Sequence, residues 1–229
     1  WFEAPPNGRQ LGEYRWHTIT PAGWVMSIWK RDMDGDGDVD LVLSDRRGEL
    51  RGCRWLENPG RGAKQMKRWS NHFMGATREV EVLSMTLADL DRDGLQDALV
   101  AERGPRIFYL RRRDESGLDW ETYTITAEFK VGHTRAVEVG DVNLDGRPDI
   151  VLTTAKAKGM HAVLWLESNT APPRTKWKPH TISGTEKGIK YDRIELLDLD
   201  GDGDLDVMTC EEQEGLGLGV IWYENPQRR

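Results

Sequence analysis

Asp32-Met33-Asp34-Gly35-Asp36-Gly37-Asp38-Val39-Asp40 sets carboxylates at alternate positions, glycine at the sixth and a last aspartate at the ninth. The same grammar returns as Asp89-Leu90-Asp91-Arg92-Asp93-Gly94-Leu95-Gln96-Asp97 and as Asp141-Val142-Asn143-Leu144-Asp145-Gly146-Arg147-Pro148-Asp149. A fourth copy is Asp198-Leu199-Asp200-Gly201-Asp202-Gly203-Asp204-Leu205-Asp206. Side-chain oxygens at positions 1, 3, 5 and 9 around a tight glycine turn form a donor set suited to calcium, a hard cation that takes many oxygen ligands. Position 7 (Asp38, Leu95, Arg147, Asp204) varies in chemistry, so a backbone carbonyl is expected there. Asp/Gly clusters also make ordinary surface turns, but turn propensity does not demand one nine-residue pattern four times. The expectation is about four structural calcium ions. The third ion should be the weakest, because Asn143 replaces a carboxylate.

The residues after position 9 begin β-like runs, as in Leu41-Val42-Leu43 and Ile150-Val151-Leu152, so the loops belong to β-hairpins and not to EF-hands. The copies start at 32, 89, 141 and 198, with spacings of 57, 52 and 57. That period fits four-stranded propeller blades. Other features recur in phase. Trp55-Leu56-Glu57-Asn58-Pro59, Phe108-Tyr109-Leu110, Trp165-Leu166-Glu167-Ser168 and Trp222-Tyr223-Glu224-Asn225-Pro226 follow the loops, and Trp1-Phe2-Glu3-Ala4-Pro5 opens the chain. An aromatic residue followed three positions later by His or Tyr recurs over 14–19, 69–74, 120–125 and 177–182. Each unit is expected to run strand A, loop, strand B, strand C, strand D.

With the Asp-rich loop and the Trp-Glu-Asn-Pro turn in phase over nearly the whole chain, the sequence resembles the FG-GAP/VCBS repeats. These are calcium-stabilised β-propellers that include integrin α-subunit heads and many bacterial secreted proteins. The resemblance implies an all-β propeller of four-stranded antiparallel blades, one domain over residues 1–229. It is either a closed four-bladed ring or an arc of a larger propeller. In the closed ring, residues 14–20 supply strand D to the last blade. The chain beginning in mid-repeat is consistent with its being part of a longer protein, or with self-association.

The formal charge of −7 is concentrated in the loops, and four divalent ions would bring it close to neutral. Binding of these ions should therefore raise stability steeply. No apolar run has the length of a membrane span, and no basic stripe with interleaved aromatics suggests nucleic acid. A calcium-loaded protein is expected outside the cytosol: secreted, periplasmic or on the cell surface. Cys53 and Cys210 either pair, if the first and last blades meet, or stay as small thiols. The phase-locked tryptophans suit blade packing, whereas Trp24 and Trp29 fall outside that phase and are candidates for exposed stacking. His17, His72 and His180 share a slot with Tyr123, which suggests hydrogen bonding in an outer strand.

Binding in such a fold uses loops that differ between repeats. The B-to-C and D-to-A loops supply Arg46, Arg47, Arg78, Arg103, His133, Arg135, Lys156, Lys158, Tyr191 and Arg193, and the last B-to-C loop runs Glu211-Glu212-Gln213-Glu214. Three functions are open: a binding or scaffold module for extracellular glycan or protein; a lyase- or dehydratase-type enzyme with His133 or Tyr191 as base beside Arg135 or Arg193; or a structural segment of a larger surface protein. No nucleophile motif or catalytic metal cluster supports the enzyme, so no catalytic residue is assigned.

Overall fold

The short hairpin of β1 (Phe2–Glu3) and β2 (Arg15–Trp16) precedes four antiparallel sheets in a ring, a four-bladed β-propeller. The computed structural model describes residues 1–229 except 63–67, 127, 129, 171, 174, 175, 214, 216 and 229; Glu214 thus lies outside the described residues. Blade 1 is β3 (Val25–Arg31), β4 (Asp40–Asp45), β5 (Gly52–Glu57) and β6 (Ser70–Phe73). Blade 2 is β7 (Val82–Ala88), β8 (Asp97–Glu102), β9 (Arg106–Arg112) and β10 (Trp120–Thr126). Blade 3 is β11 (His133–Gly140), β12 (Asp149–Ala155), β13 (Val163–Ser168) and β14 (Trp177–Thr181). Blade 4 is β15 (Tyr191–Leu197), β16 (Asp206–Glu211) and β17 (Gly219–Tyr223). Each acidic loop joins strand A to strand B, as the pattern predicts. No helix among the described residues is long and apolar enough to cross a membrane.

The core lies between blades. Strand B of blade 2 sends Ala98 and Val100 into one cluster with Val42 and Trp55, and Leu99 and Ala101 into another with Ile150 and Leu164. This period-2 split explains why the inner blades carry unbroken apolar runs: both faces of the sheet are covered. Truncating Leu99 or Ile150 to Ala would cost about 2–5 kcal/mol by opening a cavity. Ile28 of blade 1 and Val220 and Trp222 of blade 4 are exposed.

Every inner strand shifts register once, between Val25 and Ser27, Val82 and Met85, Thr134 and Ala136, and Tyr191 and Ile194. Bulges of this kind re-aim side chains at a rim. The inner strands line an axial cavity of about 270 Å³ that includes Met26, Ser84, Glu138 and Arg193.

Two expectations are corrected. Residues 14–20 do not complete blade 4: β2 pairs with β1, Phe2 opposite Trp16, and blade 4 has three strands among the described residues. Closing the short β1–β2 loop costs far less entropy than reaching the far end of the chain. Trp1 also stacks on His17 at 4.4 Å, and His17 Nε2 meets Glu3 Oε2 at 3.1 Å. The same clasp closes blade 1 (Trp55 on His72, 4.3 Å; His72 to Glu57, 2.8 Å) and blade 3 (Trp165 on His180, 4.2 Å; His180 to Glu167, 2.7 Å). The hairpin is thus a strand C–strand D pair in its own right. Secondly, Trp29 is not a stacking platform. It packs against the first core cluster and donates Nε1–H to the Met85 carbonyl at 2.8 Å. Cys53 is buried, Cys210 partly so, and both are free thiols; burial pushes the Cys53 thiol up to about 12.

Candidate functional site

The four acidic loops occupy one rim and share one internal scaffold. The position-1 aspartate accepts from backbone N–H groups deeper in the loop: Asp32 from Gly35 and Gly37 (2.9 and 3.0 Å), Asp198 from Gly201 and Gly203 (2.7 and 3.2 Å). Asp89 accepts from Gly94 and Asp141 from Asp145 and Gly146. The turn needs two left-handed residues. Position 6 is glycine throughout, with φ of 81–93°. Position 4 is left-handed as well, supplied by Gly35 and Gly201 in the first and fourth loops but by Arg92 and Leu144 in the others.

The position-9 aspartates form a clamp. Asp40, Asp97 and Asp149 are buried, as is Asp206. One oxygen of each accepts the position-2 N–H: Met33, Leu90, Val142 and Leu199. The other accepts an N–H at the end of strand C: Asn58, Arg112, Ser168 and Asn225, at 2.7–3.0 Å. Burial pushes Asp97 up to about 7 and Asp149 up to about 6, with their backbone donors opposing. Position 9 therefore first ties the loop to strand C.

Carboxylate oxygens also converge within the loops. Asp32, Asp34 and Asp36 bring one oxygen each within 4.8 Å of one another, as do Asp89, Asp91 and Asp97, and Asp198, Asp200 and Asp202. The third loop forms no such cluster among the described residues. There Asn143 Nδ2 and Arg147 Nη2 both donate to Asp145 Oδ2, at 3.2 and 2.6 Å. Asp89 Oδ1 and Asp204 Oδ1 are buried with no hydrogen-bond partner. A buried carboxylate oxygen without a donor is costly, and a divalent cation removes that cost. The oxygen-only donor set fits a hard ion.

The opposite rim gathers cations. A pocket of about 460 Å³ at the axial mouth takes Arg46 from blade 1, Arg103 from blade 2, His133, Arg135 and Lys156 from blade 3, and Lys190 with Glu212 and Gln213 from blade 4. Gly132 lets the chain into strand A of blade 3 lie flat on the neighbouring backbone; a Cβ there would sit 2.1 Å from the Ala155 carbonyl oxygen. Acids orient most of the cations. Glu81 bonds Arg46 and, at 2.9 Å, Arg103, and these two arginines hold its carboxyl below the usual range against its burial. Arg135 pairs with Asp192, and Lys190 with Glu212 at 2.6 Å. Lys156 has no acidic partner among the described residues, and its φ of 58° is left-handed. Non-glycine residues held there concentrate at functional sites.

Of the loop residues singled out in the sequence, the pocket unites Arg46, Arg103, His133, Arg135 and Lys156. Arg47 instead lies over the half-exposed Trp24 ring at 5.0 Å, together with Arg46 at 4.5 Å. Arg78 lies over Phe73, and Lys158 lies outside the pocket lining. Arg193 lines the axial cavity and pairs with Glu195. Tyr191 is fully buried, its hydroxyl 3.2 Å from that of Tyr223 and donating to the Lys187 carbonyl, and burial raises its pKa. It is therefore no surface base. Sequence reasoning passed over Arg111, whose guanidinium reaches Asp91 and, at 3.1 Å, Asp93.

A model of the FG-GAP-like repeat matches residues 32–100 and 89–152. No curated protein matches the sequence. Among solved structures, the periplasmic gluconolactonase of Pseudomonas aeruginosa is similar, with a TM-score of 0.51 at 10% sequence identity. The likeness covers 98% of this chain, which spans 66% of that protein's length, and it is one of fold.

Proposed function

The chain belongs to the FG-GAP-like repeat family, and from that premise we propose that it is a calcium-stabilised binding module for an anionic extracellular ligand, an acidic glycan above all. The observation that carries the ligand reading is the convergence of Arg46, Arg103, Arg135, Lys156 and Lys190 from four blades on one pocket. Guanidinium groups held by Glu81 and Asp192 present their remaining N–H donors in fixed geometry, which suits a carboxylate or sulfate fork. Lys156, without an acidic partner among the described residues, would meet the charge of an incoming anion. Trp24 under its two arginines offers an adjoining aromatic face for a sugar ring.

The acidic loops take the structural role: calcium held by Asp32, Asp34 and Asp36, by Asp198, Asp200 and Asp202, and by their counterparts in loops 2 and 3 would tie strand A to strand B in each blade. Calcium at the concentrations found outside the cytosol makes a secreted, periplasmic or surface location the matching one. The described lining of the pocket is dominated by cations, which supports binding as the reading favoured here, although a lactonase uses a similar fold.

The test is calorimetric titration with oligouronates, sulfated oligosaccharides and a neutral oligosaccharide of equal length, in calcium. Binding of the acidic ligands alone, weakened at least tenfold by Lys156→Ala and by Arg103→Ala, is expected. Equal binding of the neutral ligand, or binding that both variants leave intact, would overturn the reading. A hydrolysed or unsaturated product would replace it with an enzyme.

A further inference from the structure

We propose that Arg111 is a resident counter-ion of the second loop, a guanidinium that takes there the electrostatic part a divalent cation takes in the first and fourth loops. The inference rests on the cation reading above. The N–H groups of Asn58, Arg112 and Ser168 all bond the position-9 aspartate of their own blade, which aligns the three C strands residue for residue. One residue earlier stand Glu57, Arg111 and Glu167. In blades 1 and 3 that glutamate closes the clasp with His72 or His180. In blade 2 the histidine slot holds Tyr123, which faces Tyr109 across the strands, and the glutamate slot holds arginine.

Released from the clasp, Arg111 turns to the loop. Its Nε donates to Asp91 Oδ2 and its Nη2 to Asp93 Oδ2 at 3.1 Å. The Asp91 side chain is only 6% exposed, while the Arg111 side chain is 28% exposed, so the contact is shielded on the aspartate side. These are positions 3 and 5, the carboxylates a metal would use, and Asp91 belongs to the loop's converging cluster. Guanidinium and metal therefore compete for the same oxygens. Among the described residues, no Lys or Arg side chain forms an ion pair with an aspartate of loops 1 or 4; Arg112 meets loop 1 at the Met33 carbonyl and Arg228 lies beside Gly203 of loop 4, so most of the carboxylate repulsion there is left for a bound ion to offset. Two consequences follow. Loop 2 keeps its shape without metal, and it binds metal more weakly than loops 1 and 4.

Calcium titration by calorimetry, with thermal unfolding in calcium and in EDTA, tests this on the full chain. Arg111→Gln should tighten one class of sites about tenfold, since a like charge beside the ion is removed. It should lower the melting temperature in EDTA and raise it in millimolar calcium. Arg111→Lys, which keeps the charge, should hold loop 2 in the weak class. An Arg111→Gln variant with wild-type affinities, or one destabilised equally in both conditions, would make Arg111 merely structural and overturn the inference. If wild type and variants alike take up no calcium, the cation reading itself fails and the inference with it.

Discussion

Loops 1 and 4 and loops 2 and 3 share a backbone but differ in how they carry charge. The first pair holds five aspartates each, glycine at position 4 and, among the described residues, no Lys or Arg side chain in an ion pair with a loop carboxylate. The second pair holds four and three aspartates, Arg92 or Leu144 in the left-handed position, and an arginine on the carboxylates. The clamp at position 9 is the same in all four. The hydrogen bonds that shape the turn are thus separable from the charges that ask for an ion. The first make the blade, and the second decide how much the blade depends on metal.

The largest expected effect tests the shared part. Asp40→Ala orphans the Met33 and Asn58 N–H groups and should cost about 3 kcal/mol, in EDTA as in calcium. Asp206→Ala should cost as much, through Leu199 and Asn225. Denaturant unfolding measures both; a loss confined to the calcium-loaded protein would mean that position 9 acts only through metal.

Next comes position 3, where the two classes should split in sign. In EDTA, Asp34→Asn relieves repulsion and should stabilise, whereas Asp91→Asn strips Arg111 of its partner and should destabilise, each by about 1 kcal/mol. In calcium both should destabilise. Equal signs in EDTA would erase the distinction between the loops.

A pH series sharpens the comparison further. Asp97, raised to about 7, and Asp149, raised to about 6, bind protons more tightly folded than unfolded. Their share of metal-free stability is fully present below the unfolded carboxylate value of about 4 and is lost as pH rises through the folded values. In calcium the order should reverse, because protons compete with the ion. Carboxyl carbon shifts followed by NMR in EDTA should show Asp97 titrating near neutrality; a midpoint near 4 would refute the assignment.

The smallest effect is at position 4. Leu144→Gly relieves a left-handed leucine but loosens the unfolded chain, for a net gain of up to about 1 kcal/mol. Gly35→Leu should lose a similar amount in loop 1.

Blade order, loop placement and the His/Tyr slot were legible because they repeat: a nine-residue pattern in phase with Trp-Leu-Glu and Trp-x-x-His leaves little freedom of register. The pairing of residues 14–20 was not legible. Trp1–His17–Glu3 is as good a clasp as any the last blade offers, and only chain proximity decides between them. Arg111 was visible as a departure from Glu57 and Glu167, but its reach to Asp91 depends on how strand C lies beside the loop. The cationic pocket was half legible. The loops named its residues, yet the same rule also named Tyr191, which is buried, and Arg193, which faces the axial cavity.

The measurement that most directly tests the account is thermal unfolding of the full chain across a calcium series, starting from EDTA. The melting temperature should climb steadily with free calcium, as for any ion bound only by the native state, and loops 1 and 4 should dominate the climb, so that Asp32→Asn with Asp198→Asn flattens most of it. A melting temperature indifferent to calcium would contradict the account.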